Sequence, residues 1–123
     1  MNKLFKFIIF YKIFFQFCYA DVIYEKLDEK DFFDRPLVKI SITGEIKIGD
    51  YDDLKKYLNE VNLNNYRVKE DSIILNSHGG NMQEARDLGH LIRKHHIATK
   101  VNPDDECVSA CSLMLIAGSC RMA

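Results

Sequence analysis

The sequence predicts an α/β fold, because short apolar runs of strand character alternate along the chain with stretches whose apolar residues recur at helical spacing. One of those runs is apolar on both faces, the pattern of a strand buried in a parallel sheet. A length of 123 residues limits the chain to one small domain, too short for a cofactor domain beside a substrate domain.

Residues 1–20 differ in composition from the rest of the chain. Met1-Asn2-Lys3 is a short positive start, the stretch from Leu4 to Phe17 is apolar, and Cys18-Tyr19-Ala20 places small residues where an export peptidase cuts. The expectation is a signal peptide cleaved after Ala20 and a periplasmic or secreted product. Lys6 and Lys12 interrupt the apolar run, and the alternative is an uncleaved anchor, the one expected route to a membrane. Gln16-Phe17 before Cys18 does not suit lipid attachment. Residues 21–36 mix acids with Tyr24, Phe32 and Phe33 and end on Arg35-Pro36, an irregular or edge lead-in to a domain at 37–123.

Within that domain, residues 37–43 alternate apolar and polar with β-branched enrichment, a strand closed by Gly44. Ile46 and Ile48 form a second short alternation. Asp50 is placed to cap a helix whose Leu54, Tyr57, Leu58 and Val61 share a face, and residues 62–65 are its polar exit. Residues 72–76 are the buried strand, 77–80 a turn, and Met82, Ala85, Leu88 and Ile92 mark a helix running to His95. Residues 97–101 read as a third strand, stopped by Asn102-Pro103. Residues 107–118 read as a buried helix, apolar at Leu113, Met114, Leu115 and Ile116 and ended near Gly118. Strand and helix in strict alternation argue for a parallel sheet.

Lys and Arg number 17 against 18 Asp and Glu, so no general positive field draws nucleic acid. Without residues 1–20, which hold three of the cations and none of the acids, the chain is mildly acidic. No nucleotide-binding fingerprint is present, and no cofactor is expected. An exported chain would carry Cys107, Cys111 and Cys120 into an oxidising compartment, where two pair and one is left over. All three pairings stay open. A zinc site from these cysteines with His95 or His96 is disfavoured by spacing that is not C-x-x-C, and no metal is expected.

Two stretches carry chemistry, and each lies just past a strand, where open α/β sheets place ligands. Gly79-Gly80 is either an ordinary tight turn or a concavity of outward N–H groups suited to an anion. In Cys107-Val108-Ser109-Ala110-Cys111 the serine is either a helix cap or a nucleophile with the Ala110 N–H beside it.

Taken together, Ser77-His78-Gly79-Gly80, Ser109 lying 29 residues after Gly80, and Ala117-Gly118 beyond the serine resemble the core of the Clp protease proteolytic subunit and its ClpP/crotonase relatives. The secreted ClpP-like proteins of bacteria resemble the chain further, in their leader and their Cys-x-Ser-Ala-Cys segment. The resemblance covers residues 37–123 and implies a repeated β-α spiral with a parallel sheet, incomplete at the C-terminus. It implies that Ser109 is the acyl-forming nucleophile, that the Gly80 and Ala110 N–H groups form an oxyanion hole, and that Gly79 shapes the turn. His78 stands where the family has proline, which removes a rigid residue. The substrate implied is a peptide or protein, and the full-length form a homo-oligomer.

The family's general-base histidine lies about two dozen residues beyond the serine, with its acid further on. The sequence ends at Ala123, so little or no hydrolysis is expected of it, and whether it is an enzyme stays open. His78 is disfavoured as a substitute base, and His90, His95 and His96 fall along a helix away from the serine. A truncated end would also leave the 113–116 face apolar and uncovered, which favours self-association. The competing reading is a non-catalytic ClpP-like module that binds a peptide or partner at a sheet edge. Export disfavours crotonase-type chemistry on acyl-CoA.

Overall fold

Alternation of branched apolar residues builds the middle of the sheet in the computed structural model, which describes residues 21–122. The expected leader, residues 1–20, lies outside the described residues. In β2 (Pro36–Thr43) Val38, Ile40 and Ile42 turn into the core and are fully buried, while Lys39 and Ser41 take the other face. Beside it in parallel, β3 (Arg67–Asn76) does the same with Ile73 and Leu75, in the register Ile40↔Ile73 and Ile42↔Leu75. β4 (Ala98–Lys100) runs parallel to β3, pairing Ile73 with Thr99.

The sheet is mixed, not wholly parallel as expected. Residues 21–30 form an edge strand, β1 (Asp21–Lys30), antiparallel to β2 with Val22 opposite Ile42 and Tyr24 opposite Ile40. A tight turn reverses the chain between the two strands, and a connection that short permits only antiparallel pairing. Asp31 fixes the turn by accepting the Phe33 and Arg35 N–H groups at 3.0 and 2.8 Å. Four strands thus carry the sheet in the order β1-β2-β3-β4, and the two-residue β5 (Arg121–Met122) extends its edge beside β4.

Three helices complete the α/β fold: α1 (Asp50–Leu63), α2 (Met82–Lys94) and α3 (Cys111–Ala117). Leu54, Leu58 and Val61 of α1 and Ala85, Leu88 and Ile92 of α2 join the strand residues in one core. Gly89 of α2 lets α3 come close, since a Cβ there would lie 3.2 Å from the Ala117 Cβ.

Three local expectations need correction. Gly49, not Asp50, is the N-cap of α1, with φ 109°, a conformation that favours glycine. Asp50 is instead the first helical residue and fully buried, accepting from the Lys47 N–H at 2.9 Å and from Lys47 Nζ at 3.0 Å. Ile46 is buried but Ile48 is exposed, so the short alternation they suggested adds no strand to the sheet. The last helix begins at Cys111 rather than Cys107, because Ser109 has φ 54° and breaks the helical path before it. Among the described residues no helix is long and apolar enough to cross a membrane.

Candidate functional site

The site forms where β3 ends and its backbone passes between two other segments. On one side the Gly44 N–H donates to the Asn76 carbonyl at 2.9 Å, and the Ile46 N–H to the Gly79 carbonyl at 2.9 Å. On the other, the Ser77 N–H donates to the Glu106 carbonyl at 2.8 Å, and the Val108 N–H to the Ser77 carbonyl at 3.1 Å. Ser77 is the pin between them. Its buried hydroxyl donates to the Gly44 carbonyl and accepts the Gly79 N–H at 3.1 Å. Through these bonds the 106–108 segment is held alongside β3, and residues 109–110 are delivered against the glycine turn.

At that point the two motifs meet. Gly79 has φ 115°, and a Cβ on it would lie 2.9 Å from Ser109 Cβ, 3.2 Å from Ser109 Oγ and 3.3 Å from the Ala110 nitrogen. Gly80 has φ 142° and is pressed on the backbone of Ile46, into which any side chain there would run. The Asn81 N–H donates to the Ile46 carbonyl at 2.9 Å, and the Asn81 side chain caps α2 by accepting the Glu84 N–H at 2.8 Å. The structure therefore brings together Gly79, Ser109 and Ala110, with Gly80 next in the chain.

Ser109 is exposed, and among the described residues its Oγ makes no hydrogen bond. A disulfide joins Cys107 to Cys111 around it, with the Cα atoms 5.2 Å apart. Of the three open pairings this one forms because the left-handed turn at Ser109 folds the loop back before the helix starts. Cys120 is free and exposed. Two of the three thiols are thus consumed, and among the described residues no group of three or more His, Cys, Asp or Glu side chains is placed to hold a metal ion.

Ala110 is the N-cap of α3, so Ser109 does not cap that helix. Ala110 is fully buried, yet its N–H donates to no acceptor among the described residues; neither does that of Gly80. A buried unpaired donor such as that of Ala110 is uncommon in folded proteins, whereas Gly80 is exposed; both are open to an incoming carbonyl or carboxylate oxygen. No histidine among the described residues hydrogen-bonds to Ser109. His78 is exposed on the turn, His90 is exposed midway along α2, and His95 and His96 lie at the far end of that helix from the turn. Burial holds His95 below the ordinary imidazole range, helped by the charges of Lys94 and His96.

The arrangement offers a hydroxyl on a covalently closed loop, with the free N–H of Ala110 next to it in the chain and that of Gly80 following the Gly79 that packs on Ser109. The described residues provide no base in contact with the hydroxyl. The sequence placed Ile46 only in a short apolar alternation and gave neither it nor the 106–108 pairing a part in the site; Ser77, a small polar residue ending an apolar strand, was the available signal. No family model matches the chain, and neither a curated protein nor a solved structure does.

Proposed function

We propose that the chain is an exported, ClpP-like protein of the serine-peptidase type, with Ser109 as its acyl-accepting group and the Gly80 and Ala110 N–H groups as its oxyanion donors. The observation that carries this reading is the contact of Gly79 with Ser109 and Ala110, two motifs far apart in sequence held together by the Ser77 pin. The parallel order of β2, β3 and β4, with a helix after each of the first two, supports a ClpP/crotonase-type spiral. In this reading Ser109 Oγ gives its proton to solvent water and attacks a peptide carbonyl, the C–O bond forming as the C=O π bond opens and its oxygen takes the negative charge between the two donors; the intermediate then collapses to the acyl-serine as the C–N bond breaks and the amine leaves with a proton from water. A hydroxyl with no base in contact is a poor nucleophile near neutral pH, so turnover by the described residues is slow.

A serine-directed fluorophosphonate tests the assignment. The expected result is slow labelling that peptide mapping places on Ser109 and that Ser109→Ala abolishes. Equal labelling of Ser109→Ala, or none of the folded wild type, overturns the nucleophile. The partnerless Ser109 Oγ favours a second reading, a non-catalytic module that binds a peptide or protein partner at the sheet edge. It predicts no labelling, and peptide binding that Ser109→Ala leaves unchanged.

A further inference from the structure

Two features that a relaxed chain avoids stand side by side at the site, and one covalent bond brackets both. Ser109 has φ 54°, a conformation unfavourable for any residue with a side chain. The Ala110 N–H next to it is buried and donates to no acceptor among the described residues. Cys107 precedes this pair and Cys111 follows it, and their disulfide closes a loop of five residues.

Little else selects this form of the loop. Its entry is anchored, because the Ser77 N–H donates to the Glu106 carbonyl and the Val108 N–H to the Ser77 carbonyl. Its exit is anchored too, since Cys111 is fully buried and opens α3. Between these anchors the side chains of Val108 and Ser109 are exposed and clamp nothing. Ala110 already has helical angles, so Ser109 alone leaves the helical path. Two backbone bonds span the turn, from the Cys111 N–H to the Val108 carbonyl at 3.1 Å and from the Ser112 N–H to the Ser109 carbonyl at 3.0 Å. Bonds of this kind form equally well in a first helical turn at negative φ, so they do not select the positive one.

We propose that the Cys107–Cys111 disulfide is a redox latch on the serine site. Oxidised, it holds Ser109 against Gly79 with the Ala110 N–H free; reduced, it releases both and silences the hydroxyl. This latch rests on the reading of Ser109 and Ala110 as nucleophile and oxyanion donor. Once the bond opens, Ser109 returns to negative φ and the Ala110 N–H turns to water, so hydroxyl and donor no longer converge on one carbonyl. A chain made in a reducing compartment and exported to an oxidising one is thereby kept silent until the bond forms.

Cys107 is half-buried and Cys111 fully buried, so exchange starts at Cys107. In closing, the Cys107 thiol loses its proton and its thiolate attacks a disulfide donor, displacing one of the donor's thiolates. The Cys111 thiolate then attacks the Cys107 sulfur of the mixed disulfide and displaces the second. Two electrons pass from the cysteines to the donor, and their two protons end on its two thiols. A dithiol reverses these steps and is itself oxidised to a disulfide.

The test uses the full chain, with dithiothreitol as the dithiol and glutathione disulfide as the donor, and peptide mapping of alkylated thiols reports the state of Cys107 and Cys111. After the dithiol is removed, the reduced protein should take a fluorophosphonate on Ser109 at least about tenfold more slowly than the oxidised protein. Reoxidation should restore the rate. Cys107→Ala/Cys111→Ala should be as slow as the reduced protein and indifferent to dithiothreitol. Equal rates in the two states overturn the proposal, as does a slow rate that reoxidation does not restore. Loss of the circular dichroism signal on reduction overturns it as well, because the bond is then a plain staple of the fold. If neither state is labelled, the nucleophile assignment has failed, and the latch is judged by NMR alone. Scalar couplings at Ser109 should then report a change from positive to negative φ on reduction, and a reduced, folded protein that keeps positive φ there overturns the latch.

Discussion

The two ends of the sheet hold unfavourable backbone in different ways. At the end where β3 meets the 106–108 segment, Gly44, Gly79, Gly80 and Ser109 have positive φ, and they are held by backbone hydrogen bonds, the Ser77 hydroxyl and a disulfide. At the other end Asp34, Glu70 and Asp71 have φ of 62°, 58° and 51°, with ion pairs around them: Arg67 with Asp71 at 2.6 Å, Lys100 with Glu70 at 3.1 Å and Lys30 with Asp34 at 3.3 Å. One end is fixed by close backbone approach and the other by side chains in water. The first leaves no room for an added methyl group, whereas the second can exchange partners at little cost.

Breaking the tight end should therefore have the largest effect. Gly80→Ala forces a side chain into the Ile46 backbone at φ 142°, and the expected loss is about 3 kcal/mol or more, read from a denaturant midpoint. Ser77→Ala comes next. It deprives the Gly79 N–H and the Gly44 carbonyl of a buried partner, at about 1–3 kcal/mol, and it frees the turn from the serine, so fluorophosphonate labelling should fall with stability. Replacing Cys107 and Cys111 together by serine opens a loop of five residues, which the chain-entropy account values at about 2 kcal/mol. The sharper readout is local: amide exchange should quicken at 107–111 and not in β2 if the disulfide serves this end alone.

The same contrast explains what the sequence made legible. Residues 37–43 and 72–76 and the helix from Met82 were readable because burial on one or both faces imposes a period, and the observed β2, β3 and α2 contain those positions. The hairpin was not. Val22, Tyr24 and Lys26 face the core side with a polar residue or Ile23 between them, a pattern too mixed to separate an edge strand from a loop. The extra residues of β3 between its pairs with Val38 and Ile40 were equally silent, since Glu70 and Asp71 read as ordinary surface acids. At the site, spacing alone left Gly79-Gly80 and Ser109 as separate motifs; the family resemblance joined them, and their contact is a matter of tertiary hydrogen bonds that no local pattern encodes. Disulfide pairing was open for a related reason. It depends on the sign of φ at Ser109, which composition does not set.

The mildest perturbation is to protonate the loose end. Asp31 is partly desolvated, which favours its neutral form, but hydrogen bonds from the Arg35 N–H and guanidinium, the Arg35 charge and the Phe33 N–H outweigh this and hold its carboxyl below the usual range. The folded turn therefore binds its proton less readily than the unfolded chain does. Its contribution is fully present above the ordinary carboxylate value of about 3.9 and is lost as pH falls through the lower folded value. Acidification below that range should loosen residues 31–35 while the Ser77 turn, which contains no carboxylate, stays protected. Carboxyl titration followed by NMR should give Asp31 a midpoint below those of the exposed acids, and Asp31→Asn should remove the acid-induced change at the Phe33 and Arg35 amides. A change of equal size at the Gly79 amide in the same titration would mean that the two ends are coupled through β2, and the contrast between them would not stand.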